Sequence, residues 1–307
     1  MLAKREAAGK PSAGPAADRG GDSRDLPGEG MLGRMDTAQA GSPSRYDVAE
    51  LIGCLQRDGE RLAAAAGQAG FAAPVPACPG WQVRDLLKHL GYVHRRAAGY
   101  VRDQHKRWVD RLSEEEILAS GPPDDALAAW FRQGHAELVR VLAAAGPDTD
   151  CWTFLDAPSP VAFWARRQAH ETAIHRVDAE QAAAAAGAAQ LADPPDIDPL
   201  FAIDGIDELI MGFLAREARS GRWDGPPAVL GVHAEDGAGG TAHWRVDSAP
   251  GRIVVSRGTG PAECDVTGPA ARIYLLLWNR AGRGGLMVRG DAGQLAAFRG
   301  HFHVTWS

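Results

Sequence analysis

The sequence predicts two folded parts, an all-α bundle followed by an α+β domain, and three observations lead there. Apolar residues recur at helical spacing in four long segments between residues 45 and 187, separated by glycine- and proline-bearing loops. A proline- and aspartate-rich stretch, LADPPDIDP, then interrupts the pattern. Beyond it, short runs typical of strands mix with helices, so helix and sheet segregate. No internal repeat is visible.

Residues 1–43 are rich in Gly, Pro, Ala and charge, have no apolar periodicity, and are expected to be disordered. Met31 and Met35 stand just ahead of the first periodic segment and are alternative starts of the chain. The bundle is expected over residues 44–188. Its first helix, from Arg45, brings Val48, Leu51, Ile52, Leu55 and Leu62 near one face. FAAPVPACPGW breaks the pattern, and WQVRDLLKHLGYVHRRAAGYVRDQ forms the second helix with Val83, Leu86, Leu87, Leu90 and Val93. The third opens at Asp124 and Asp125 and closes at Gly146 before Pro147. The fourth, VAFWARRQAHETAIHRVDAEQAAAAAG, has Pro160 at its start and Gly187 after its end.

Residues 189–198 are expected to link this bundle to an α+β domain over residues 199–307. There a helix over 199–220 precedes the strand-like runs AVLGVHAE, TAHWRVDS, GRIVVSRG and AECDVTG. The helix PAARIYLLLWNRAG, the strand LMVRGD and the helix AGQLAAFRGHF complete the chain.

The whole-chain figures exclude several classes. With 307 residues, 45% apolar and 23% charged, the composition is that of a soluble globular protein. A net charge of −6, with its basic residues dispersed, gives no reason to bind nucleic acid. No apolar run is long enough for a bilayer, and the first residues lack a secretory core, so a cytoplasmic protein is expected. Cys54, Cys78, Cys151 and Cys264 form no C-x-x-C pair, which argues against a cysteine zinc site or a disulfide framework.

The chemistry concentrates in HETAIH, residues 170–175. It resembles the zinc-protease signature H-E-x-x-H with one residue too many. His170 and His175 are five apart, about 140° around a helix, so they face different ways. Glu171 and His175, four apart, do share a face, and a bundle can supply a third ligand from another helix. His89 is the best candidate, lying among Leu86, Leu87 and Leu90 in the second helix. Two nitrogens, one carboxylate and an open position make the pattern of a catalytic zinc, though nickel or iron would accept the same donors. The plain alternative is a solvated Glu/His pair with a hydrogen-bonded core histidine. His94 and His170 are read as supporting or surface residues, and Trp81 as a packing anchor. Asp178 either takes the second N–H of His175 or pairs with Arg166, Arg167 or Arg176.

The blocks PACPGWQVRDLLKHLGYVHRRA, FWARRQAHETAIHRVDAE, LLLWNR and VRGD resemble, in that order, the mycothiol-dependent maleylpyruvate isomerase family of actinobacteria. The resemblance runs from about residue 45 to the end. It implies a DinB-like metal-binding four-helix bundle with a C-terminal domain like sterol carrier proteins. It also implies that His89, Glu171 and His175 are the metal ligands, the trio that helical geometry selects. Many DinB-like proteins have histidine in place of the glutamate, so Glu171 points to the isomerase branch.

By the same resemblance, zinc acidifies the thiol of mycothiol, and the thiolate adds to the double bond of maleylpyruvate. Rotation and elimination then give fumarylpyruvate. Addition without elimination would make a thiol S-transferase acting on an electrophile. Arg280, at the end of LLLWNR, corresponds to a catalytic arginine, suited to hold a substrate carboxylate or stabilise an enolate. Its structural alternative is a cation at a helix C-terminus, and Arg289 in VRGD is read as structural. The competing reading of the chain is a non-catalytic two-domain small-molecule-binding protein with a structural metal or none. A regulatory protein-binding role has no specific feature behind it, and oligomeric state leaves no mark in the sequence.

Overall fold

In a computed structural model, described over residues 46–109, 112–193, 196–220 and 223–304, nine α-helices and a five-stranded sheet are present. The expected disordered extension over 1–43 lies outside the described residues. The helical half comprises α1 (Val48–Ala69), α2 (Val83–Arg102), α3 (Glu114–Ser120), α4 (Asp124–Ala144) and α5 (Pro160–Ala185). Capping chemistry sets their starts. The Asp47 carboxylate accepts the Glu50 N–H at 2.8 Å, and Glu50 accepts the Asp47 N–H at 2.8 Å, closing a capping box on α1. Ser159 caps α5, with Pro160 supplying a preset first residue.

The short α3 was not anticipated. It carries one buried apolar residue, Ile117, too little for a periodic signal. Its mark was the S-x-x-E box of Ser113 and Glu116, whose reciprocal bonds measure 2.7 and 3.2 Å.

α1 packs along α5 and α2 along α4, with α5 central. Buried side chains surround α5 on all sides, including Arg167, His170, Glu171, His175, Arg176 and Asp178. A helix this deep keeps its ionisable groups only because each is paired. Arg176, for example, lies 3.4 Å from Asp58 and 2.9 Å from Glu180.

The second half begins with α6 (Pro199–Asp207), capped by Asp198. The single helix expected over 199–220 is interrupted by a π-helical segment (Glu208–Leu214) before α7 (Ala215–Ser220). The acids at that junction are buried. Asp207 accepts from Arg257 at 2.7 and 2.8 Å and from the Trp244 indole at 3.0 Å, and Glu208 pairs with Arg167.

The strands β1 (Ala228–Glu235), β2 (Thr241–Ala249), β3 (Arg252–Arg257), β4 (Cys264–Pro269) and β5 (Met287–Gly290) form one sheet in the order β3-β2-β1-β4-β5. Its pairs are antiparallel except β1 with β4, where Leu230 faces Cys264. Leu230, Val232, Trp244, Val246 and Val266 bury one face. Between β4 and β5 runs α8 (Ala270–Leu277), and α9 (Ala292–His301) follows. One apolar cluster joins the halves, running from Leu55, Tyr100 and Trp164 through Phe201 and Leu209 to Trp244 and Tyr274. Asp196 ties the intervening stretch to α1 through Arg61, and Asp198 ties it to Tyr46 just ahead of α1 through the phenol hydroxyl, each at 2.6 Å. Among the described residues no helix is long and apolar enough to cross a membrane, and all four cysteines are free thiols.

Candidate metal centre

Three local features bring the site together. The loop before α2 folds back on itself, with Val75 donating to the Trp81 carbonyl at 2.9 Å and Val83 to that of Ala73 at 2.9 Å. Its turn needs the positive φ of Gly80, 91°, which follows Pro79. This fold-back sets Cys78 and Trp81 beside α2 and α5. The second feature is the face of α5 that carries Glu171 and His175 toward α2.

The third is the end of α8, which closes as a Schellman motif. The Arg280 N–H reaches the Leu275 carbonyl at 2.8 Å and the Asn279 N–H that of Leu276 at 3.1 Å. Asn279 takes the left-handed conformation this requires, φ 59°, which asparagine tolerates better than most side chains. The reversal turns Arg280 back toward α5.

His89, Glu171 and His175 converge, with one ligand atom from each inside a 4.8 Å group. Glu171 Oε1 lies 3.4 Å from His89 Nε2 and 3.3 Å from His175 Nε2. Bonds of about 2.0–2.1 Å to a tetrahedral zinc would hold donors roughly 3.3–3.4 Å apart, so the two distances from Glu171 fit that ion. All three residues are buried, and Trp81 covers both imidazoles, its ring 5.1 Å from that of His89 and 6.4 Å from that of His175.

Outer partners fix two of the three donors, Glu171 and His175. His175 Nδ1 donates to Asp178 Oδ2 at 2.9 Å, which aims Nε2 at Glu171. Asp178 in turn accepts Arg280 in bidentate fashion, Nε at 3.0 Å and Nη2 at 2.9 Å. The second Glu171 oxygen accepts from Arg167 Nη2 at 2.9 Å. Of the alternatives open for Asp178, the structure therefore selects His175 together with Arg280.

These contacts set protonation. Burial works against a charged Glu171, yet hydrogen bonds from His175 and His89 and the Arg167 charge hold its carboxyl well below the usual range. Burial also opposes a charged His175, but Asp178 and Glu171 hold it up to about 9. His89 is pushed down by burial and stays neutral at pH 7. A metal entering at neutral pH must therefore displace one proton, that of His175 Nε2. Apparent affinity should climb about tenfold per pH unit from pH 6.5 to 8.5 and level off near His175's value of about 9. Chelator competition across that range checks it, and a flat profile would contradict the assignment.

Beside the triad opens a cavity of about 510 Å³. Trp81, Ile117, Ile174, Trp278 and Val304 make its apolar walls, and Arg280, Cys78 and Glu114 its polar ones. Cys78 was not singled out in the sequence. Its Sγ lies 3.7 Å from Asp178 and 3.6 Å from Arg280 Nη2, and burial, with Asp178, pushes the thiol up to about 12. Position in the PACPGW block was its only mark. Trp81, read as a packing anchor, is also the lid over the imidazoles.

His94 and His170 are not surface residues, for both are fully buried. His94 Nε2 lies 2.9 Å from Thr172 Oγ1 and its ring packs on His135. His170 donates to Asp204 at 2.7 Å and meets the Tyr274 hydroxyl at 3.2 Å, an internal polar contact between α5, α6 and α8. Arg289 is exposed on β5.

Fold and site together define a class: a helical bundle presenting a His/Glu/His triad to a cavity, joined to a mixed sheet whose flanking helix end supplies an arginine. Residues 52–180 match the family model described as the mycothiol maleylpyruvate isomerase N-terminal domain. A crystal structure of the mycothiol-dependent maleylpyruvate isomerase shares the fold, with a TM-score of 0.56 at 17% identity over 81% of this chain and 96% of that one. A histidine-to-alanine variant of the same enzyme matches with a TM-score of 0.56 at 16% identity and the same coverage. No curated protein matches.

Proposed function

We propose that the protein is a metal-dependent enzyme in which a low-molecular-weight thiol attacks an activated double bond. The observation that carries this reading is the Glu171 oxygen set 3.3 and 3.4 Å from two imidazole nitrogens, in the wall of a cavity that also holds Arg280. Zinc held by His89, Glu171 and His175 would supply the Lewis acidity that turns a thiol into a thiolate at neutral pH. The matched structures are of a mycothiol-dependent enzyme, which makes mycothiol the first thiol to test. The His89 and His175 rings and Trp81 exclude water from one side of the site, and Asp178 keeps His175 in the tautomer whose Nε2 faces Glu171.

The sulfur bonds to the β-carbon of the substrate, and the double-bond electrons move onto the carbonyl oxygen as an enolate. Arg280 is placed to meet that negative charge. Return of the electrons with loss of the sulfur after bond rotation makes an isomerase. Proton delivery to the α-carbon makes an S-transferase. A cavity of about 510 Å³ is of a size for a small-molecule substrate.

The test is turnover of maleylpyruvate and of a simple electrophile by zinc-loaded protein, with and without mycothiol. Thiol-dependent turnover, lost in Arg280→Ala with zinc retained, is the expected result. Full zinc content with no thiol-dependent turnover of either would sink the proposal and leave a binding protein.

A further inference from the structure

A second cavity of about 510 Å³ opens between the start of α1, the loop ahead of α5 and the π-helical segment. It shares no lining residue with the cavity at the metal centre. Val48, Leu51, Leu155, Phe163 and Met211 give it an apolar body, and Glu208 and Gly212 bring more of the π-helical segment into its wall. Such segments recur at functional sites, and the volume is that of a small-molecule pocket.

The charges in this wall differ in how far they are already satisfied. Asp207 is buried and takes four hydrogen bonds. Trp244 Nε1 at 3.0 Å and Arg257 Nε at 2.7 Å meet one oxygen, and Arg257 Nη2 at 2.8 Å and Arg166 Nη2 at 3.4 Å meet the other. A carboxylate has about four such acceptor positions, so Asp207 is full. Glu208, equally buried, is held by Arg167. Asp47 and Asp156 are exposed, Asp47 committed to the α1 capping box and Asp156 lying 3.6 Å from Arg219. Charges so placed are screened by water and salt.

The two arginines are not so fully spent. A guanidinium offers five N–H groups. Arg166 directs Nε to Asp204 Oδ2 at 2.9 Å and Nη2 to the Asp204 carbonyl at 2.7 Å and to Asp207. Arg257 directs Nε and one Nη2 hydrogen to Asp207. Neither Nη1 group has an acceptor among the described residues. The two side chains are 19% and 34% exposed, so a ligand can reach them, and both bond Oδ2 of the same aspartate, which makes the guanidiniums neighbours in the wall.

We infer that this second cavity binds a small monocarboxylate with an apolar body, its carboxylate received by the Nη1 groups of Arg166 and Arg257 and its apolar end by Leu51, Leu155, Phe163 and Met211. Unspent cationic donors beside a saturated acid favour a ligand that accepts, and guanidinium-to-carboxylate hydrogen bonds are the strong, charge-assisted kind. An ammonium would find no open acceptor on Asp207 and would face two guanidiniums. A neutral amide of the same shape would keep the apolar contacts and lose the charge. The inference is independent of the thiol chemistry proposed for the metal centre.

The probes are 3-phenylpropionate, 3-phenylpropionamide and 3-phenylpropylamine, which share an apolar body and differ in charge. Each is titrated calorimetrically into the full-length protein, zinc-loaded and metal-free. We expect the acid to bind both forms, at about one per chain without metal, and the amide and amine to bind at least about tenfold more weakly. Arg257→Met should weaken the acid by about 10–100-fold, the range that one or two charge-assisted hydrogen bonds supply, and leave the amide near its wild-type value. Asp207 keeps Arg166 and Trp244 in that variant, and circular dichroism checks its fold. Ala162→Leu, which narrows the cavity without touching a charge, should weaken acid and amide alike. Arg280→Ala, in the other cavity, should leave the acid's affinity for the metal-free protein unchanged.

Amide or amine binding as tight as that of the acid would overturn the charge assignment. Acid binding that falls in Arg280→Ala yet survives Arg257→Met and Ala162→Leu would place the ligand at the metal centre and remove the second site. No binding of the acid to either form would sink the inference outright. None of these results depends on thiol-dependent turnover, which stands or falls by its own assay.

Discussion

His175→Ala should reduce zinc from about one per chain to background while the protein stays folded. The triad has three donors and, among the described residues, no fourth from the protein, so losing one leaves a two-donor site. Loss of an outer-shell partner alone typically costs about 10–100-fold in metal affinity, and loss of a ligand should cost more than that. Asp178→Asn belongs to the milder class, because His175 would keep its place and lose its orienting acceptor.

The fold should survive His175→Ala because the groups left behind remain satisfied. Asp178 keeps both hydrogen bonds from Arg280, and Glu171 keeps Arg167 and His89. Elemental mass spectrometry of wild type and variant, beside their circular dichroism, reads both halves of this expectation. Undiminished zinc in a folded His175→Ala protein would overturn the ligand assignment.

Arg167→Met should produce the largest loss of stability. Arg167 is fully buried and its two Nη groups separate two buried carboxylates, Glu171 and Glu208. Methionine fills much of the volume and leaves two acids facing each other without the cation. Breaking a buried ion pair by removing one partner costs about 3–5 kcal/mol, and denaturant unfolding of the metal-free protein should show a loss of that order. Adding Glu208→Gln should restore part of it, and zinc should restore another part by neutralising Glu171.

The pH dependence has a definite sign. In the wild type Glu171 is held well below its ordinary range despite burial, so its contribution is present above the unfolded value and lost as pH falls through the folded one. In Arg167→Met Glu171 loses the cation that lowers it and its folded value rises, so the deficit against wild type should shrink as pH falls through the carboxylate range. A loss under about 1 kcal/mol, unchanged with pH, would show that Arg167 holds neither acid.

The elements were legible where one side of the chain meets the core and the other meets water. β1 occupies the residues AVLGVHAE, and TAHWRVDS, GRIVVSRG and AECDVTG each coincide with a strand to within one or two residues. The four long helices lie where their apolar period placed them. What escaped were α3, which has one buried apolar residue, and the π-helical segment over Glu208–Leu214. The latter leaves no periodic signature in seven residues.

For the site, the spacing of Glu171 and His175 placed two donors on one face, and the apolar setting of His89 marked it as inward-facing. Both follow from backbone geometry that any helix shares. Of the two readings open for His94 and His170, supporting or surface, burial removes the second; for His170 the sequence left it open because α5 is buried on every side, and a helix rich in ionisable groups looks exposed until their partners are known.

The sequence by itself determined the four long helices, the strands and the i,i+4 donor pair, because those depend on neighbours within a turn or two of the chain, whereas the helix expected over PAARIYLLLWNRAG ends at Leu277. Only the tertiary structure decided that Asp178 serves His175 and Arg280 at once, since Arg280 lies 102 residues away and meets it only in the assembled fold. The same assembly brings Arg280 into the cavity wall beside the triad. Charge satisfaction between distant segments is a property of the assembled core. No local pattern encodes which acid a given arginine will find.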